Sequence, residues 1–170
     1  MALSMYQASI PVFLRMLGNL ATFLSKAEKY AEAREIDPLV LPPARLAPDL
    51  YPLTRQIQIA TDGVKGCAAR LAGVEIPSFP DVETTFPELQ ERIQKTIIFL
   101  QNFKPSQIDG SEDRVVTLKL RGQETSFKGQ VYLLNFVLPN LFFHITTAYA
   151  ILRHNGVDLG KMDYLGNPTL

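Results

Sequence analysis

The chain has 170 residues, enough for one compact core and short for two. Hydrophobic residues make up 46% and charged residues 20%, which excludes an intrinsically disordered chain. With 17 basic and 17 acidic residues the net charge is zero. No nucleic-acid partner is therefore expected, because such a partner needs a basic surplus to displace counterions. Cys67 stands alone, so an internal disulfide is excluded and a reducing, cytoplasmic location is expected.

The N-terminal stretch Met1 to Met16 lacks a basic leading region, and Pro11 and Arg15 interrupt its apolar run, unlike a secretory signal. A first helix is predicted from about Ser4 to Ala31. Met5, Phe13, Met16, Leu17, Leu20, Leu24 and Ala27 line one face at three- and four-residue spacing. Pro11 should kink this helix or mark an irregular early turn. Asp37-Pro38 predicts a capped helical piece over Pro38 to Val40, and Pro42, Pro43 and Pro48 keep the following connection extended.

A second helix should open at Asp49 as N-cap, with Pro52 in its first turn and Gly73 as its stop. Leu53, Ile57, Ala60, Val64, Ala68 and Leu71 form its core stripe. Beside it run Gln56, Ala60, Gly63 and Cys67, small residues following one amide, which suit either close helix approach or a small pocket. Thr85-Phe86-Pro87-Glu88 is a capping box opening a third helix that ends before Pro105. The acidic residues Asp109, Glu112 and Asp113 read as a solvated turn, since their spacing does not match a calcium loop.

Alternation then replaces the helical period. Val116, Leu118 and Leu120, followed by Thr125 and Phe127, predict a β-hairpin turning at Arg121 to Gln123 and leaning on the helices. A fourth helix is expected from Gln130 to Arg153, bent at Pro139 and closed by His154-Asn155-Gly156. No Asp, Glu, Lys or Arg lies between Lys128 and Arg153, a length that could span a bilayer. Asn135, Pro139, Asn140, His144, Thr146 and Thr147 oppose insertion, so a buried bundle helix is expected and no membrane partner. Apolar side chains nearly all round this helix predict homodimerisation through it.

Asn140, His144 and Thr147 project to one side of the fourth helix. A polar stripe on an apolar helix is costly unless it is hydrogen-bonded or used. It forms either a ligand or metal pocket or a satisfied structural network. His154 beside Arg153 suits the carbonyl end of the helix dipole, and Cys67 suits packing. No phosphate loop, CxxC pair, HExxH or GxSxG motif is present. Two histidines cannot form an all-histidine zinc triad within one chain.

Four stretches, SMYQASIPVFLRML, RLAPDLYPLTRQIQIATD, LKLRGQ and PNLFFHITTAYAILRHNGVDLGKMDYLG, together resemble the domain-of-unknown-function branch of the bacterial DinB/YfiT-like four-helix bundles. The resemblance spans nearly the whole chain and implies a single domain over residues 1–170. Its fold would be all-α, an up-down-down-up bundle, usually dimeric, with the short hairpin inserted between helices 3 and 4.

In the wider superfamily three histidines, one on the second helix and two on the fourth, hold a divalent metal. Some members are thiol-dependent transferases. Leu152-Arg153 and Gly156 match the end of the fourth-helix motif, which places Asn140 and His144 at the paired metal positions and Gln56 near the second-helix position. The resemblance therefore implies one imidazole kept and two replaced by amides. No cofactor is expected beyond a weakly held divalent metal at His144.

Two functions follow from this reading. One is a polar pocket between helices 2 and 4 in which Gln56, Asn140, His144 and Thr147 bind a small polar ligand. It would be a degenerate metal-dependent transferase site with His144 as the catalytic candidate. The other is a non-catalytic dimeric interaction protein in which these residues form a buried network.

Overall fold

The computed structural model describes residues 3–120 and 122–167. Helix α1 spans Met5–Ala33. Ser4 caps it in a reciprocal capping box with Gln7. The helix runs through Pro11 without the irregular turn that the sequence allows. Ile10 and Phe13, fully buried on either side of the proline, anchor it there. Asp37 accepts a hydrogen bond from the Leu39 amide at 2.9 Å and opens a 3₁₀ turn over Pro38–Val40, as predicted.

Helix α2 spans Leu53–Ala72, and its start corrects the sequence reading. Asp49 does not cap it; Pro52 is the N-cap residue and supplies no side-chain bond. The opening amides are instead satisfied by the preceding loop. The Leu53 amide donates to the Ala44 carbonyl at 2.9 Å and the Thr54 amide to the Pro42 carbonyl at 3.1 Å. Pro52 disfavours a helical Tyr51, so the helix cannot reach back to Asp49. Gly73, with φ of +71°, ends α2 as expected.

Helix α3 covers Phe86–Gln101 behind the expected Thr85–Glu88 capping box. A single turn, α4, follows over Pro105–Ile108. Asp109 beyond it is no free turn residue: its carboxylate accepts from the Tyr6 amide at 2.8 Å and supplies a negative charge to the N-terminus of α1.

The hairpin pairs β1, Val115–Leu120, with β2, Gln123–Lys128, in an antiparallel register that sets Val116 opposite Phe127 and Leu120 opposite Gln123. Gly122 in its turn has φ of +84°, while Arg121 lies outside the described residues. Gly129 links β2 to the last long helix under a tight constraint. A Cβ there would sit 2.1 Å from the Ser111 carbonyl oxygen.

That last helix has three parts: α5 over Gly129–Val131, a π-helical segment over Tyr132–Val137, and α6 over Leu138–His154. Pro139 enters at the second position of α6, and the wider π turns precede it. Proline has no amide to donate and its ring crowds the carbonyl four residues back, and a π turn relieves both. Asn155 and left-handed Gly156 close α6, and α7 spans Lys161–Leu165.

Four long helices thus form a bundle. Helices α1 and α2 each pack against both α3 and α6. Phe13, Leu20 and Phe23 of α1, Ile57 and Val64 of α2, Leu89 and Ile93 of α3, and Leu141, Ile145 and Ala148 of α6 are buried in one continuous core. Two helices, Met5–Ala33 and Gly129–His154, are long and apolar enough to cross a membrane by length and composition, and about half of each apolar window is buried here. The fold is the helical bundle with a hairpin between the third and last long helices that the sequence predicts.

The connection from α2 to α3 is fastened by a buried cation. Arg92 of α3 has a side chain only 1% exposed. Its Nε donates to Thr61 Oγ1 at 2.9 Å, and its Nη1 donates to the Pro80 carbonyl at 3.0 Å and to Glu83 at 2.9 Å. Its Nη2 lies 2.9 Å from Asp62 and 3.0 Å from Asp81, but neither contact has hydrogen-bond geometry.

Burial pushes the Glu83 carboxyl up, but hydrogen bonds from Arg92 and Gln58 outweigh it and hold the group below the usual carboxylate range. Stability from this pairing is therefore present above the unfolded pKa of about 4.3 and is lost as pH falls through the lower folded value. Arg92→Met should cost about 2 kcal/mol, toward the low side for a buried pair because Asp62 and Asp81 can hydrate. Urea unfolding checks this: the gap between the wild-type and variant midpoints should narrow as pH falls below about 4.

Candidate functional site between the second and last helices

The structure joins two of the four candidate residues directly. His144 Nδ1 lies 2.7 Å from Gln56 Oε1, in a buried contact between α6 and α2. The amide of Gln56 is itself oriented, because its Nε2 donates to the Tyr51 carbonyl at 2.9 Å. That bond turns Oε1 toward the ring, so Nδ1 must be the donor. The imidazole proton is thereby placed on Nδ1, and Nε2 keeps its lone pair. Nε2 makes no described hydrogen bond, yet it is not among the polar atoms sealed from solvent without a partner.

His144 is 7% exposed and stacks edge-on against Phe143, with ring centroids 5.3 Å apart. Burial, helped by the Arg55 charge, pushes its pKa down to about 4. The ring is therefore neutral at physiological pH. It can accept a hydrogen bond or offer a nitrogen lone pair, but it is a weak base.

The other two candidates point elsewhere. Thr147 Oγ1 donates back to the Phe143 carbonyl at 2.8 Å, inside its own helix. The residue lines a shallow depression of 390 Å³ together with Leu46, Pro139, Phe142 and Phe143. Asn140 lies one turn before His144 and makes no side-chain hydrogen bond among the described residues. Its Nδ2 sits 3.7 Å from where a Cβ on Gly63 would stand. Asn140 lines a polar groove of 400 Å³ between α2, β1 and the π-helical segment. Asn140 thus lines one depression and Thr147 another, and His144 lines neither of the two.

Two side chains beside the site, Arg70 and Arg55, have no sequence motif. Arg70 Nη1 donates to the Tyr132 hydroxyl at 3.1 Å at the far end of the same groove. Arg55 reaches Asp81 and donates to Gln58 at 3.2 Å. The buried Arg92 had one signal: it lies three residues after Leu89 and four before Thr96, on the apolar stripe of α3. Cys67 is fully buried, and burial pushes its thiol well up, so it packs as a small apolar residue.

The donor set does not fit the three-imidazole metal centre that the resemblance implies. Gln56 Oε1 is occupied by the His144 ring, and Asn140 faces the neighbouring groove. Among the described residues no three His, Cys, Asp or Glu side chains converge where they could hold a metal ion.

Fold and sequence together define a class. The chain matches the family described as Domain of unknown function (DUF1993) over residues 5–165, and it belongs to that family. It is also similar to a crystal structure of a DinB family member protein from Shewanella denitrificans. The two are 40% identical with a TM-score of 0.89, over 97% of this chain and 93% of that one. No curated protein matches the chain.

Protonation of His144 is directly observable. The unfolded chain takes up this proton near pH 6.5 and the folded chain only near pH 4. Stability from the neutral ring should be complete above about 6.5 and fall as pH drops toward 4, because the unfolded state is protonated first. An NMR titration of the imidazole should give a midpoint near 4. His144→Gln should flatten the stability profile between those two values.

Proposed function

We propose that this protein is a cytoplasmic binding bundle whose site between α2 and α6 takes a small polar ligand through His144 Nε2. One observation carries the reading: the chain of bonds from the Tyr51 carbonyl through Gln56 to His144 Nδ1 fixes the tautomer and leaves Nε2 as an acceptor. Such second-layer fixing orients a group that is used. A neutral ring with a pKa near 4 favours ligands that bring a donor, a hydroxyl or an amide N–H. In this reading the site is a degenerate form of a metal-dependent transferase centre, with position kept and ligand set changed. A divalent cation at Nε2 would have one protein nitrogen and water for the rest of its shell, so it would bind weakly.

Long-range proton–nitrogen NMR of His144, with a panel of small neutral amides and alcohols, tests this. The Nε2 resonance should be unprotonated and should move on addition of a binder, and the response should vanish in His144→Ala. An Nε2 that ignores the whole panel would favour the closed-network reading. Zinc or nickel should not copurify in equimolar amount with untagged protein. Equimolar metal that is lost in His144→Ala would restore the metalloenzyme reading.

A second reading, a dimeric interaction protein, is favoured by the outer face of α6. Phe143 is 55% exposed and Phe142 37%, and with Leu46 and Pro139 they line the apolar depression described above. Burying two aromatic side chains against a second copy would contribute a few kcal/mol, roughly 25 cal/mol per Å² of apolar surface. Light scattering at micromolar concentration should give a dimer mass that Phe142→Glu reduces to monomer. A monomer mass for the unaltered protein would remove this reading.

A further inference from the structure

We infer that the groove between α2 and the hairpin is a binding site for a small molecule carrying a carboxylate or phosphate group, with Arg70 as its main anchor. The inference goes beyond the site at His144, although Asn140 and Arg55 lie near both.

The groove holds more positive than negative charge. Arg55, Arg70 and Lys119 line it against one carboxylate, Asp62. Asp62 Oδ1 is already shared between Lys65 at 2.8 Å and Arg92 at 2.9 Å, and Arg55 is spent on Asp81. Among the described residues neither Arg70 nor Lys119 makes an ion pair, although Lys119 stands opposite Glu124 in the strand register. Two uncompensated cations on facing walls attract an anion from solution.

The groups at this end are built as donors. Arg70 spends one N–H on the Tyr132 hydroxyl, and the rest of its planar fork makes no other hydrogen bond among the described residues. The Tyr132 hydroxyl accepts that bond and donates to no described acceptor. Burial, with the nearby Cys67 adding to it, pushes its pKa up to about 12, so it keeps its proton. The Asn140 amide, further along, makes no hydrogen bond among the described residues. The Arg70 guanidinium and the Tyr132 hydroxyl offer donors at this end, and a carboxylate or phosphate accepts from such groups.

The Arg70 guanidinium lies over Gly66, where a Cβ would stand 2.5 Å from Nη1 and displace it. The groove's 400 Å³ matches a small organic molecule better than a bare ion.

The experiment is a proton–nitrogen NMR titration of the full chain with inorganic phosphate and, separately, succinate, each against sodium chloride at equal ionic strength. At least one oxyanion should give saturable shifts at the Arg70 Nε–H and at the Gly63 and Gly66 amides, with half-saturation at millimolar concentration or below. Response to phosphate alone assigns phosphate esters, and response to succinate alone assigns carboxylates. Arg70→Met should weaken binding tenfold or more. Gly66→Ala, which pushes the guanidinium away, should weaken it in the same direction, and His144→Ala should leave it unchanged.

Lys119→Gln, on an exposed strand position, should weaken binding at least threefold and decides the matter if Arg70→Met fails to fold. Shifts no larger than those from chloride with both anions would overturn the proposal. So would unchanged binding in a folded Arg70→Met, or in Lys119→Gln where Arg70→Met does not fold.

Discussion

The last long helix carries no charged side chain between Lys128 and Arg153, and this constraint organises the molecule. Such a helix must be sheltered along most of its surface, because every exposed apolar side chain forfeits transfer free energy. Helices α1 and α2 shelter Leu141, Ile145, Ala148 and Leu152. The hairpin shelters the earlier part. Phe127 of β2 packs on Tyr132 and Phe136 of the π-helical segment, with ring centroids 5.8 to 6.1 Å apart. A two-stranded hairpin is marginal alone, so the dependence runs both ways: the helix needs a cover and the strands need a floor. The polar groove is the space left between that cover and α2.

Most of the architecture is legible in the sequence because its signals are local. Ser4, Thr85, Gly73 and Gly156 mark helix ends by chemistry that acts within one turn. Where a partner is distant in sequence, the local signal misleads. Asp49 is a good cap by type, but Pro52 keeps Tyr51 out of the helix, which begins at Leu53 with its opening amides bonded to the carbonyls of Ala44 and Pro42. Asp109 looks like a loop residue until α1 brings the Tyr6 amide to it across 103 positions. Arg92 lies on the buried side of α3, but the Pro80 carbonyl and Glu83 that receive its guanidinium come from the preceding loop.

The candidate site shows the same limit. Asn140 and His144 do share a helix face, four residues apart. Helices α2 and α6 run antiparallel where they meet, so His144 reaches Gln56 while Asn140 reaches Gly63, two turns further along α2. Residues one turn apart on one helix therefore meet different turns of its partner. The resemblance sets Gln56, Asn140 and His144 together between helices 2 and 4; the structure pairs Gln56 with His144 and places Asn140 in the neighbouring groove. Membership of a family of unknown function fixes the bundle, while what the bundle binds depends on the side chains that this chain places in it.

The π-helical stretch has a further consequence. A π turn accommodates one residue more than an α turn, so Tyr132–Val137 works as a phase shifter between the hairpin and α6. Each residue of a regular helix advances the face by about 100°. Letting the segment relax to α-helix with all its residues kept would rotate α6 by roughly that angle relative to β2. His144 would swing off Gln56 with no change at either residue. The rotational setting of the site is thus stored about two turns upstream of it, in the winding of the π-helical segment.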